Sequence, residues 1–235
     1  MRDSIAVAMS GGVDSSVAAW LLQQQGEQTV GVTMRLFTPE ELAPGQGERC
    51  HILEDIQDAR AVAAQLGIPH HALDLSGPFR ERVMEPFVRA YEQGRTPNPC
   101  VTCNRTIKFG ALLEAAGQLG CGRLATGHYA RVDYDEATGR WRLLRGLDRR
   151  KDQSYFLFQL TQAQLAHLLL PVGGYEKGDI RALAADHGLE NAQKPDSQDI
   201  CFVPDGDYAA FLERQGVTLR PGNFVDASGR VLGPH

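Results

Sequence analysis

The stretch "SIAVAMSGGVDSS", residues 4–16, decides the fold. Its first part, "SIAVAM" over 4–9, is a short apolar run with β-branched residues. It reads as a buried parallel strand. Glycines follow at once, and "VDSSVAAWLLQQQG" over 13–26 reads as a helix closed by Gly26. A strand that turns through glycine into a helix start is a place for an anion. Gly11 and Gly12 let backbone come close to it. The helix N-terminus presents N–H groups and partial positive charge. Ser10, Ser15 and Ser16 add hydroxyls, and Asp14 is a hard carboxylate suited to magnesium. The glycines are not followed by Lys and Ser or Thr, so the Walker A pattern fails, and the dinucleotide pattern G-x-G-x-x-G fails too.

Outward from this stretch, strands and helices alternate. "TVGVTMRLF" (29–37) and "HHALDL" (70–75) read as strands, with "ILEDIQDARAVAAQLG" (52–67) as the helix between them. "PFRERVMEPFVRAYEQG" (78–94) reads as a helix kinked near Pro86. A cysteine loop over 94–110 overlaps the start of a helix over roughly 105–119, and "GRLATGHY" (122–129) is the fourth strand. This alternation predicts an α/β fold: an open parallel sheet with helices on both faces and ligands at the carboxyl ends of the strands. Beyond residue 130, "ARVDYDEATGRWRLLRG" reads as a β-hairpin. "QSYFLFQLTQAQLAHLL", "KGDIRALAADHG" and "DYAAFLERQG" read as helices, and "RPGNFVDASGRVLGPH" as the start of a β-rich unit. The expected division is a nucleotide-binding domain over 1–130, a hairpin and helical segment over 131–215, and the beginning of a β-rich domain over 216–235.

Of 235 residues, 43% are hydrophobic, enough for a sizeable core, and the formal net charge is −5. Bulk charge therefore does not advertise nucleic acid, although a local basic patch can bind it. The run "RGLDRRK" (145–151) has four basic residues against one acid and is such a patch. There is no apolar run of eighteen residues and no secretory leader pattern, so no membrane partner is expected and a cytoplasmic place is. Five cysteines, Cys50, Cys100, Cys103, Cys121 and Cys201, suggest metal or catalysis more than a disulfide framework. Read alone, Cys100 and Cys103 in "TPNPCVTCNR" could be metal ligands, a redox pair or a site of sulfur chemistry.

The loop "SGGVDS" resembles the PP-loop of the N-type ATP pyrophosphatases, which cleave ATP between its α- and β-phosphates and adenylate a carbonyl oxygen. Four further motifs resemble the tRNA 2-thiouridylases of the bacterial MnmA family: "GRTPNPCVTCNRTIKFG" (94–110), "ATGHYAR" (125–131), "KDQSYFL" (151–157) and "DSQDICF" (196–202). The resemblance runs from residue 4 to the end. It implies sulfur insertion at C2 of the wobble uridine of tRNA, with ATP consumed to AMP and pyrophosphate. Full-length members of that family continue into a β-rich central domain and a β-barrel, so the sequence is expected to stop before the central domain is complete.

The resemblance also implies roles for residues. Cys201 would carry a persulfide, and Cys103 would release its sulfur, leaving a disulfide between the two. Ala8, Met9, Ser10, Gly11, Gly12, Val13, Asp14 and Ser15 would hold the phosphates of ATP, with Met34 and Gly127 near the nucleoside. Asn98, Pro99 and Cys100 would meet the target base, and Lys151, Asp152 and Gln153 the tRNA. A persulfide donor, either a cysteine desulfurase or a sulfur-relay protein, is the implied partner. Some family members carry Asp where this sequence has Cys100, so a proton-transfer role does not pass over with the motif. The rival is a 4Fe-4S cluster held by Cys100, Cys103 and Cys201. Zinc would need a fourth ligand such as Cys50, Cys121 or His128. Two other functions stand as alternatives: a truncated nucleotide- or metal-binding module without thiolation, and a PP-loop synthetase with another acceptor.

Overall fold

The structure, a computed structural model, describes residues 4–37, 51–196 and 199–234, with the side chains of 51–53 left aside. Cys50 lies outside the described residues. Strand β1, Ser4–Ala8, carries Ile5, Ala6 and Val7 with no exposure at all. That burial places it at the centre of a sheet. Strands β2 (Thr29–Arg35), β3 (His70–Asp74), β4 (Cys121–Thr126) and β7 (Leu168–Leu169) join it, all parallel, in the order β3-β2-β1-β4-β7.

Alternation along the strands fills both faces. Ile5 and Val7 point one way, onto α1 (Val13–Gln24), α2 (His51–Leu66) and α6 (Lys177–Asp186), through residues such as Val17, Val62 and Ile180. Ala6, Val32 and Leu124 point the other way, into a larger cluster with Phe79, Phe87, Ile107, Phe202 and Phe211. The expected doubly covered parallel sheet is what the chain forms.

Two long helices supply that second face. Helix α3 spans residues 76–92 in three pieces, with a π-helical run, Arg80–Met84, just before Pro86. The missing proline N–H therefore falls where the ladder changes register, and the expected disturbance near Pro86 takes this form. Helix α4 spans residues 99–118, with a π-helical run, Asn104–Leu112, between α-helical ends. Here the expectation of a cysteine loop running to 110 needs correcting. Asn98 caps the helix, its side chain accepting from the amides of Cys100 (3.1 Å) and Val101 (3.4 Å), and Pro99 stands at the first helical position. Both cysteines are therefore within the first five residues of a helix.

Strands β5 (Ala130–Asp135) and β6 (Arg140–Arg145) form the expected hairpin. The single helix expected over 153–169 does not form. In its place stand a 3₁₀ turn (Ser154–Leu157), a short α5 (Gln162–Ala166) and the strand β7. A capping box between Thr161 and Gln164 starts a new helix inside the run. Leu168 and Leu169 then pair with Leu124 and Ala125 at the sheet edge, so tertiary pairing overrides helical spacing. Helix α7 (Tyr208–Arg214) and the antiparallel pair β8 (Asn223–Val225) and β9 (Val231–Pro234) complete the order. No helix among the described residues is long and apolar enough to cross a membrane.

Candidate functional site

The carboxyl end of β1 opens into the glycine loop. Gly11 has φ 72, and a Cβ there would lie 2.6 Å from the Asp55 carbonyl oxygen, so only glycine fits. Gly12 is different. Its φ of −89 and ψ of 161 suit any residue, and its part is to begin α1 without a side-chain cap. The first-turn N–H groups of α1, which have no intrahelical acceptor, are thus not consumed by a cap. The hydroxyls are internal braces: Ser15 and Ser16 each donate to the Gly12 carbonyl at 3.0 Å, and the Ser10 amide donates to Ser15 Oγ at 3.2 Å.

The run from Ala8 to Ser15 is not uniform. Ser10 is exposed, while Met9 and Val13 are core residues. The Met9 amide donates to Val32 at 2.8 Å and its carbonyl accepts from Thr33 at 2.7 Å. Met9 therefore shapes the loop and offers it no free donor. Met34 is half-buried at the end of β2. A Cβ on Gly127 would lie 2.7 Å from the Ser15 amide nitrogen, so the segment after β4 presses against the first turn of α1.

Asp14 is already engaged. Lys177 Nζ donates to its two oxygens at 2.7 and 2.8 Å, and the Tyr129 hydroxyl donates at 2.8 Å. Lys177 also meets Asp196 at 2.9 Å, which Lys151 and Arg181 meet at 2.9 and 2.8 Å. Partial burial opposes ionisation of Asp196, but bonds from Lys151 and Lys177 outweigh it and hold its carboxyl well below the usual range. Asn191, buried, donates to the Gly11 carbonyl at 2.9 Å and to Ser16 Oγ at 2.8 Å, gripping the loop from behind. Lys177, Asp196 and Asn191 were not singled out from sequence. A lysine opening a helix and an asparagine in a loop carry no motif until the fold brings them to the glycines.

The cysteines converge from two directions. Cys103 is buried on α4, Cys100 is half-buried, and Cys201 is exposed as a residue; all are free thiols. Burial pushes the Cys103 thiol up to about 11. Crowding by protein likewise pushes Cys201 up to about 12, with Cys103 and Cys100 as the next causes. The Lys108 charge opposes the shift at all three thiols. Lys108 lies five residues past Cys103, and the i→i+5 bonding of the π run brings that spacing onto one side. Cys201 is held by its neighbours. Phe202 packs edge-to-face on Phe79 and Phe87 and tilted against Phe211, at centroid distances of 5.7, 5.2 and 5.3 Å. Asp199 accepts from the Ile200 amide and the Tyr208 hydroxyl, both at 2.7 Å.

Metal chemistry fits this arrangement poorly. Among the described residues no group of three or more His, Cys, Asp or Glu could hold a metal ion. Cys100, Cys103 and Cys201 are charge neighbours, but among the described residues they do not form such a group. Asp14 would have to give up Lys177 to meet magnesium. His128 is buried, bonded through Nδ1 to Thr126 Oγ1 at 2.6 Å, and burial lowers its pKa well below the usual value. Cys121 is buried in the core.

The expected RNA contacts divide in two. Asp152 accepts from the Gly146 amide at 2.9 Å and the Ser154 amide at 3.2 Å, and Gln153 bonds Tyr129 through both its backbone and its side chain. These two build the turn. Lys151, with Arg149 and Arg150, is the exposed part.

The family model described as "tRNA methyl transferase HUP domain" matches residues 3–205. A tRNA-specific 2-thiouridylase MnmA of Carboxydothermus hydrogenoformans is 52% identical over 236 residues, covering 100% of this chain and 65% of that protein. The corresponding protein of Geotalea uraniireducens is 51% identical over 238 residues, covering 100% and 63%. The chain thus spans somewhat under two thirds of the length of these curated relatives. Among solved structures, a 4-thiouridine synthetase–RNA complex with bound ATP superposes with a TM-score of 0.55 at 17% identity, over 91% of this chain and 50% of that one. An NMN synthetase from Francisella tularensis superposes with a TM-score of 0.50 at 18% identity, over 92% and 73%. At such identities these two show the fold alone.

Proposed function

We propose, from the premise that this chain belongs to the tRNA methyl transferase HUP domain family together with the MnmA tRNA-specific 2-thiouridylases, that it carries out ATP-dependent 2-thiolation of the wobble uridine of tRNA. The observation that carries this reading is that Cys103 and Cys201, remote in sequence, are brought within electrostatic reach of one another and of Lys108. An amide-forming synthetase on the same fold has no use for such a pair.

The glycine loop and the uncapped start of α1 would hold the phosphates of ATP. The uracil C2 oxygen attacks the α-phosphorus and pyrophosphate leaves. The terminal sulfur of a Cys201 persulfide, loaded by an external persulfide donor, then attacks C2 and AMP leaves. The Cys103 thiolate attacks Cys201 Sγ, and the sulfur–sulfur bond breaks toward the nucleoside. Products are 2-thiouridine and a Cys103–Cys201 disulfide, which an external thiol must reduce before the next turnover. Thiols shifted up to about 11 and 12 are protonated at neutral pH. Lys108, whose charge favours the thiolate, is the group that helps Cys103 ionise. Exposed Lys151, Arg149 and Arg150 suit RNA phosphate.

The test supplies unmodified tRNA with a wobble uridine, ATP and a persulfide donor, and reads pyrophosphate release and 2-thiouridine by mass spectrometry. Both are expected to depend on the tRNA. Cys103→Ser and Cys201→Ser should each abolish 2-thiouridine while leaving ATP binding intact. ATP binding with no RNA-dependent pyrophosphate release would overturn the reading in favour of a nucleotide-binding module.

A further inference from the structure

We propose that Lys177 is a positioning residue through which occupancy of the glycine loop is coupled to engagement of RNA at Lys151. This rests on the reading above of the loop as a nucleotide site and of Lys151 as an RNA contact.

Four side chains of alternating charge run from one place to the other. Asp14 meets Lys177 at 2.7 Å, Lys177 meets Asp196 at 2.9 Å, and Asp196 meets Lys151 at 2.9 Å. The chain is driest in the middle: the Lys177 side chain is 11% exposed, against 29% for Asp14 and 43% for Lys151. Screening is weak where Lys177 sits, so a change of charge at one end is felt there. Backbone gives a second link. The Lys177 amide, which opens α6, donates to Asp148 Oδ2 at 3.1 Å. The other Asp148 oxygen accepts from the amides of Arg150 (2.9 Å) and Lys151 (3.3 Å). Lys177 thus grips the loop with its side chain, and reaches the basic turn directly with its amide and through Asp196 with its side chain. The Tyr129 ring lies 5.6 Å from Nζ, and its hydroxyl holds Asp14, which limits where the ammonium can go.

A polyphosphate on the loop adds negative charge beside Asp14 and competes for the donors of Lys177. Asp196 must then share its oxygens differently between Lys151 and Arg181. A phosphate at Lys151 acts on the same chain from the other end. Linkage requires the two effects to be equal as binding free energies.

The experiment measures the affinity of the full chain for unmodified tRNA with and without a non-hydrolysable ATP analogue, and the affinity for the analogue with and without tRNA. In the unaltered protein both ratios should equal one common factor of about five or more. In Asp196→Asn, which leaves Lys177 on Asp14 and the amide link through Asp148 in place, the factor should fall by about twofold or more toward one, and likewise in Lys177→Met. Lys177→Arg, which keeps the charge, should restore part of it. A network that only holds α6 in place would lower stability in these variants without moving the ratio. A factor of one in the unaltered protein, or an unchanged factor in folded Asp196→Asn, overturns the coupling alone. Should Lys177→Met not fold, Asp196→Asn decides. No tRNA binding in any state overturns the thiolation reading, and the coupling with it.

Discussion

At the scale of single residues, Gly127 shows how a family motif and a packing need can share one position. The motif suggests room for a nucleotide, and the structure adds that a Cβ would crowd the backbone of Asp14 and Ser15 at 2.7–2.8 Å. Gly127→Ala should therefore cost about 1–3 kcal/mol of stability from overpacking, read as a lower denaturant midpoint, and should weaken ATP binding by displacing the start of α1. The cysteines yield a pH prediction. Because the Cys103 pKa is raised to about 11, alkylation of native Cys103 should be slow at neutral pH and climb with pH until it passes that value. Lys108→Gln should move the curve further to alkaline pH, and mass-spectrometric alkylation rates would check both. Cys103 and Cys201 were read as a pair because each stands in a long motif that resembles the family's. Lys108 was not, because the fifth residue along an ordinary α-helix faces elsewhere.

At the scale of elements, α4 carries the lesson about what sequence can hide. Asn-Pro ahead of the cysteines is a helix start, and the loop expectation missed it because two prolines and a CxxC look like a bend. Asn98→Ala should remove a cap worth about 1 kcal/mol and fray the turn that holds Cys100 and Cys103. Hydrogen exchange at residues 100–103 should rise, with the sheet unaffected. The strands β1 and β2 were legible as short runs with β-branched residues next to glycine, and β3 and β4 from their place in the strand–helix alternation. The strand β7 was not: two leucines at the end of a helix-like run become a strand only because β4 offers an open edge. The π-helical run in α4 also left no trace in the spacing, although it is what sets Lys108 against Cys103.

At the scale of the whole molecule, polar groups from distant parts of the chain lock the loop to the rest. Buried neutral histidine sets the acid limit of that assembly. Burial holds the His128 pKa well below 6.5, and His70 is lowered too, chiefly by burial. Below pH 6.5 the unfolded chain takes up protons that the native one refuses, so stability falls as pH drops. A second loss should follow below 3.8, where Asp196 and Asp74 are held ionised by their partners. Melting temperature against pH should show both stages, and His128→Gln should flatten the first. The sheet itself ends on a strand of only two residues, Leu168–Leu169. An approaching foreign chain would find too short a ladder there to build on. The opposite border, β3, carries two histidines and an aspartate among its five residues. Neither border is therefore a good template for growth by strand addition.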